Sequence, residues 1–165
     1  HQARITFLAH HDPLTGLPNR LRFRECLDDV LAHRGRGDAP ALLCLDLDRF
    51  KPVNDTLGHA AGDEVLKTIV AAISDQIRAS DVIGRLGGDE FAVLLWNLSE
   101  TDARAKAAAL EDAIDRLSFV FRGSRVSAGA SAGVAIITAH SDVDRVLDEA
   151  DRAMYVRKAQ RRHES

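Results

Sequence analysis

The chain has 165 residues, 45% of them hydrophobic and 28% charged; 25 Asp and Glu against 22 Lys and Arg leave a formal net charge of −3. This length fits one domain, and the near-balance of charge argues against a protein whose main work is coating nucleic acid, because that work needs a strongly basic surface. Aromatic residues are only 5% of the chain, too few for a platform on which single strands stack. No apolar run approaches the roughly 20 residues of a membrane span. No basic-then-apolar leader opens the chain, so no secretion signal is expected. Cys26 and Cys44 lie inside apolar periodic segments and read as buried reduced thiols; a metal pair would want C-x-x-C spacing. His1 opens the chain and Met154 is its only methionine, which reads as a fragment or processed form with something before it.

Residues 1–11 read as the end of a helix: Ile5 and Leu8 give a partial helical pattern, and Pro13 forbids easy continuation. Residues 12–18, DPLTGLP, are a turn-rich joint. A helix follows over 19–33, with Asn19 as N-cap and Phe23, Leu27, Val30 and Leu31 on one face. Residues 33–40 are a loop. ALLCLDL (41–47) is almost wholly apolar and suits a strand buried on both faces. A short helix begins near Arg49, where Pro52 is tolerated in the first turn, and Gly58 and Gly62 bracket a turn. Val65, Leu66, Ile69, Ile73 and Ile77 place a helix over 63–79. DVIGRL (81–86) and EFAVLLW (90–96) flank Gly87-Gly88 as a hairpin. Residues 101–117 are an Ala-rich helix. SFVF (118–121) and RVSAGASAGVAII (125–137) flank Gly123-Ser124 as a second hairpin, and 141–162 is the last helix, capped by Ser141. This order predicts an α/β (α+β) fold whose mixed, mostly antiparallel sheet is covered by helices.

Four constellations offer chemistry. Asp46 and Asp48 end the apolar strand with Leu47 between them. Alternation puts both carboxylates on one face, where they repel unless a cation sits between them; the plainer reading has Asp48 capping the next helix and Asp46 past the sheet edge. Gly87-Gly88-Asp89-Glu90-Phe91 puts two acids after a turn whose glycines let a ligand approach the backbone; an ordinary turn with solvated acids also fits. Lys158 and Arg162 are four apart on the last helix and repel unless an anion bridges them, or else they complement the helix dipole. Asn54 and Asp63 flank the glycine-bracketed turn. An amide plus a carboxylate suits a guanine edge, which donates from N1 and N2 and accepts at O6, while each residue alone is a common turn former. No P-loop, G-x-G-x-x-G, H-E-x-x-H or G-x-S-x-G motif is present. His59 has no metal-spaced partner and suits a turn or packing role.

Asp12-Pro13-Leu14-Thr15-Gly16-Leu17-Pro18-Asn19-Arg20, LDLDRFKPVNDTLGHAAGDEVL (45–66), RLGGDEF (85–91), SAGVAI (131–136) and EADRAMYVRKAQRR (149–162) occur together and in this order. With these motifs the chain resembles the GGDEF family, the diguanylate cyclases, over nearly everything after residue 11. The resemblance implies a fold like the nucleotide-cyclase and polymerase palm, with a central antiparallel-rich sheet. It implies condensation of two GTP into cyclic di-GMP and two pyrophosphates, with one GTP on each of two domains that meet face to face. Carried over by position, Asp46, Asp89 and Glu90 are the catalytic carboxylates, and with the Leu47 carbonyl they hold Mg²⁺ or Mn²⁺, which suit an all-oxygen site. Asn54 and Asp63 read guanine. Backbone N–H groups of Arg49, Phe50 and Lys51 hold the β- and γ-phosphates, which Lys158 and Arg162 also reach, and Gly87 and Gly88 let the nucleotide approach. Arg78-Ala79-Ser80-Asp81 matches the family's R-x-x-D product-inhibition site, assisted by Arg85. Arg161 stands where the family often has Gly, and His163 where Asn often follows Arg162; this bears on where the last helix ends.

The resemblance therefore implies an active diguanylate cyclase with product inhibition; the alternative is a silent GGDEF module that binds GTP or cyclic di-GMP and regulates an attached domain. Residues 1–11 then read as the end of an upstream coupling helix and 12–165 as the GGDEF domain. The implied partners are GTP, cyclic di-GMP, a second GGDEF domain in a homodimer and an upstream regulatory domain, with no nucleic acid. A cytoplasmic location is expected, whether or not the parent protein is attached to a membrane.

Overall fold

The computed structural model describes residues 2–33, 40–138 and 141–164; the loop expected between the second helix and the first strand lies mostly outside them, at 34–39. The elements run α1 (Gln2–His10), α2 (Arg20–His33), β1 (Ala41–Asp48), α3 (Phe50–Leu57), α4 (His59–Gln76), β2 (Val82–Gly87), β3 (Glu90–Leu95), α5 (Glu100–Asp115), β4 (Ser118–Phe121), β5 (Ser124–Ser127), β6 (Gly129–Ile136) and α6 (Val143–Glu164). The expected α+β class is the observed one: an antiparallel sheet in the order β2-β3-β1-β6, with helices on both faces.

Apolar content on both faces puts β1 at the centre, where each of Ala41–Leu45 is 1% exposed or less. Leu43, Leu45 and Leu47 pack with Ile69 and Ile73 of α4 and Leu110 and Ile114 of α5. Leu42 and Cys44 face the other layer, with Phe23 and Leu27 of α2 and Val146, Ala150 and Met154 of α6. By strand alternation Asp46 and Asp48 continue the second series, toward α6. The α2 N-cap is Asn19, whose Oδ1 accepts from the Arg22 N–H at 3.0 Å. Both cysteines are free, but only Cys44 is buried as expected; Cys26, on α2, is partly exposed. Burial pushes the Cys44 thiol up to about 12, so it behaves as a small apolar side chain. Among the described residues, no helix is long and apolar enough to cross a membrane.

Three boundaries differ from the sequence expectation. Only Gly58 breaks the chain between α3 and α4, at φ 89°, a conformation that glycine adopts without strain. Gly62 lies inside α4, where it serves packing rather than a turn. The run over 125–137 divides at Ala128: β4 and β5 form their own two-stranded sheet, with Arg122 and Gly123 at the turn, and β6 joins β1. The last helix is capped by Asp142, not Ser141; Asp142 Oδ1 accepts from the Arg145 N–H at 2.8 Å, whereas Ser141 Oγ accepts from the Thr138 N–H at 2.9 Å.

The small residues of β6 have a packing reason. A Cβ on Gly133 would strike the α6 backbone at Met154 N, Ala153 C and Ala150 O, so glycine sets how closely α6 lies on the sheet. Backbone cannot yield as a flexible side chain does. Gly133→Ala is expected to cost about 1–3 kcal/mol or more, seen as a melting temperature lowered by at least roughly 2–4 °C; an unchanged Tm would show that α6 can lift away freely.

Candidate functional site

The C-terminal end of β1 meets the β2–β3 turn. The register sets Asp46 directly opposite Glu90, and the Leu47 N–H donates to the Asp89 carbonyl at 3.1 Å. Carboxylates thus converge where the apolar strand leaves the core. Like charges directly opposite each other on paired strands repel. Burial, and then the Asp46 charge, hold the Asp89 carboxyl above the ordinary carboxylate range. Burial raises Glu90 as well, followed by Asp151 and Asp46.

Lys158 of α6 answers part of this charge. Its Nζ donates to Asp46 Oδ2 at 2.9 Å and lies 3.9 Å from Asp48 Oδ1. The anion expected to bridge Lys158 and Arg162 is therefore, for Lys158, a carboxylate of the protein itself. Asp46 Oδ1 is buried and has no hydrogen-bond partner. An orphaned carboxylate oxygen is costly in a low-dielectric site. Beside Asp89 and Glu90 it is the donor chemistry that a hard divalent cation takes, so the residues present fit Mg²⁺ or Mn²⁺. Among the described residues no three of His, Cys, Asp or Glu already converge as a metal cage; in this arrangement Asp46 is closed on Lys158.

Next to the carboxylates opens a cleft of about 530 Å³, lined among others by Leu47, Arg49, Phe50, Lys51, Lys158 and Arg162. Arg49 is the N-cap of α3 in the left-handed region, φ 61°, and its side chain caps nothing. The α3 N-terminus consequently presents its first N–H groups without a side-chain acceptor. Asp48 does not cap this helix; it accepts from Ser131 Oγ at 3.1 Å and from Arg161 Nε at 3.4 Å. Asn54 is half-buried and Asp63 exposed. A Cβ on Gly62 would collide with Asn54 Oδ1, so the glycine lets α3 and α4 close and brings the Asn54 amide beside the turn of helix that carries Asp63. Gly87 and Gly88 are exposed, and a side chain on either would meet open space.

The R-x-x-D segment forms a closed turn. Asp81 Oδ2 accepts from the Arg78 N–H at 2.8 Å and Oδ1 from the Trp96 N–H at 3.1 Å, leaving the Arg78 side chain exposed. Arg85 faces elsewhere. Its Nη1 donates to both Asp12 oxygens at 3.1 Å, and its Nε and Nη2 donate to the Gly88 carbonyl at 3.2 and 2.7 Å. Burial alone would raise Asp12; hydrogen bonds from Thr15 and the Arg85 guanidinium outweigh it and hold this carboxyl below its ordinary value. Arg85 in this structure braces the Gly-Gly turn against the 12–18 joint, a role the sequence reading missed.

Also missed is a charge network behind the cleft. Glu111 of α5 is 5% exposed. It accepts from the Ala132 N–H at 2.9 Å and from Arg157 at 3.0–3.1 Å, and Arg161 joins it at 3.4 Å. The signal was present: an acid sits four residues after Ala107, on the apolar stripe of Ala103, Ala107, Leu110 and Ile114.

Residues 9–164 match the family model described as "Diguanylate cyclase, GGDEF domain". The chain is 44% identical to the diguanylate cyclase TpbB of Pseudomonas aeruginosa over 97% of its own length and 38% of that relative's. It thus spans well under half of the curated relatives it matches. Its fold superposes on the solved structure of an N-terminally truncated TpbB of Pseudomonas aeruginosa comprising only the GGDEF domain with a TM-score of 0.82, at 44% identity, covering 92% of this chain and 90% of that one. The coiled coil and GGDEF domain of DgcB from Caulobacter crescentus, solved in complex with c-di-GMP, gives 0.88 at 26% identity, covering 97% and 86%. A carboxylate-ended strand, a Gly-Gly hairpin beside it and a cation-lined cleft thus sit on a shared backbone: the chain belongs to the GGDEF-domain family of diguanylate cyclases.

Proposed function

We propose that this domain, residues 12–165, is an active diguanylate cyclase that condenses two GTP into cyclic di-GMP and two pyrophosphates, working as a pair with a second copy. The observation that carries the reading is the buried, unpartnered Asp46 Oδ1 on the strand beside a cleft that Asp89, Lys158 and Arg162 line. Asp46, Asp89, Glu90 and the Leu47 carbonyl are the groups that would hold Mg²⁺ or Mn²⁺. The ion supplies neutralisation of triphosphate charge and eases loss of the proton from the attacking hydroxyl.

The chain's own residues do the rest. Asn54 and Asp63 face the guanine edge. The N–H groups at the α3 N-terminus take the β- and γ-phosphates, and Lys158 and Arg162 add charge to the same end. Each domain orients one nucleotide, so the 3′-hydroxyl of one GTP reaches the α-phosphorus of the other. A P–O bond forms, pyrophosphate leaves, and the symmetric second step closes the ring. Residues 1–11 serve as the end of a coupling helix from an upstream regulatory segment, joined to the hairpin through the Asp12–Arg85 ion pair. Cyclic di-GMP acts as inhibitor at Arg78 and Asp81; that a GGDEF domain takes up this nucleotide is supported by the DgcB complex, and the site by the R-x-x-D match.

Turnover and stability should part company at Asp89. Its raised carboxyl costs the fold stability once ionised; the loss begins above the ordinary value of 3.8 and is complete above the raised one. In divalent-free buffer at about pH 7, Asp89→Asn should therefore raise Tm, with the gain fading as pH falls toward the ordinary carboxylate range. With GTP and Mg²⁺ the same variant should yield no cyclic di-GMP by mass. Product from a well-folded Asp89→Asn protein would sink the assignment, and nucleotide binding without product in the wild type would favour the silent module.

Base selectivity provides a second check. Adenine has no N1–H and no N2 amine, so it would cover Asp63 without donors, at a cost of about 1–3 kcal/mol. GTP is expected to bind at least roughly tenfold tighter than ATP in calorimetric titration; equal affinities would remove Asn54 and Asp63 from the pocket. A third check concerns the product. Arg78→Ala should weaken cyclic di-GMP binding by about 1–3 kcal/mol while GTP binding holds, and unchanged product affinity would leave Arg78 a surface cation.

A further inference from the structure

The cleft carries more positive charge than the site residues named so far. Among the described residues five cationic side chains line it, Arg49, Lys51, Lys158, Arg161 and Arg162, against the acids Asp48, Asp89, Asp115 and Glu164. Arg161 is held on the wall by acids from two elements. Asp115 of α5 accepts from Nη2 at 2.6 and 2.8 Å; Asp48 of β1 and Glu111 of α5 accept at 3.4 Å. Asp48 and Glu111 have nearer partners in Ser131 and Arg157, at 3.0–3.1 Å. The short grip on Arg161 is thus Asp115, which itself lines the cleft.

That grip is open to competition from the cleft. The Arg161 and Asp115 side chains are 19% and 36% exposed, and both line the cleft, so an entering anion reaches the pair. The guanidinium fork fits phosphate oxygens as well as it fits a carboxylate. A triphosphate entering the cleft brings several negative charges at once to a guanidinium whose shortest contacts are to the single carboxylate of Asp115. We propose that Arg161 is a further substrate-binding residue of this chain, a guanidinium for the triphosphate that Asp115 restrains in the free protein. The proposal rests on the nucleotide reading above. Asp115 then acts as a competitor that sets affinity, while Asp48 at Nε and Glu111 at Nη1 keep the guanidinium at the cleft wall.

The test is binding without turnover. 3′-Deoxy-GTP, which lacks the attacking hydroxyl, and GMP are titrated in Mg²⁺ buffer into wild type, Arg161→Ala and Asp115→Asn, and each protein's melting temperature is recorded. Arg161→Ala should weaken 3′-deoxy-GTP by roughly tenfold or more, the loss of a charge-assisted hydrogen bond, and leave GMP affinity unchanged. Asp115→Asn should tighten 3′-deoxy-GTP by roughly two- to fivefold, the worth of the ion pair it breaks, even as it removes a contact between α5 and α6. If Arg161→Ala binds 3′-deoxy-GTP as wild type does, or if both variants weaken both ligands, the pair is a structural strut and the proposal falls. Wild type that binds neither guanine nucleotide overturns the nucleotide reading, and this assignment with it.

Discussion

Antiparallel pairing holds Asp46 directly opposite Glu90 toward the end of a central, buried strand, and much of the surrounding structure answers that repulsion. The register cannot slip to relieve it. β1 is apolar on both faces, and a shift of one residue would carry Leu43, Leu45 and Leu47 out of the α4–α5 layer and swing both aspartates into it. With the acids fixed, the charge has to be met from outside the sheet, by Lys158 on one oxygen of Asp46 and by the cations that line the adjoining cleft. The hydrophobic core and the polar site are therefore one design: packing of the strand decides where the carboxylates stand.

One helix delivers most of the compensating charge. The inner face of α6 docks through Val146, Ala150 and Met154, and Gly133 lets its backbone come close. Beyond that docked half the same helical phase carries Arg157, Lys158 and Arg161 past the strand ends, where they meet Glu111, Asp46 and Asp115. Positions three and four apart share a face, so a helix seated by its apolar residues needs no further device to aim its cations. Small residues in β6 and long basic ones at the end of α6 belong to the same argument, one setting distance and the other setting reach.

What could be read beforehand follows from how local each cause is. The strand at 41–47, the Ala-rich helix and the last helix announce themselves through burial patterns contained within each segment, and the motif residues of the site inherit their places from those elements. The division of 125–137 could not be read, because Ala128 becomes a break only once β5 pairs with β4 and β6 with β1. Gly58 and Gly62 look alike in sequence, yet one serves a left-handed turn and the other a helix contact. The brace from Arg85 to Asp12 spans 73 positions and the contact from Arg161 to Asp48 spans 113. No periodicity reports on such pairs; they exist only after the layers have assembled.

Glu111 has a consequence of another kind. β6 is an outer strand of the four-stranded sheet, and an outer strand with free amides is a template on which a second molecule's strand can add. Here a carboxylate 5% exposed takes the Ala132 amide and is itself tied to Arg157. An approaching strand would find that donor already bonded and an acid standing in its register. The residue that anchors the arginines behind the cleft thereby also blunts the sheet margin, discouraging growth of the sheet from one molecule into the next.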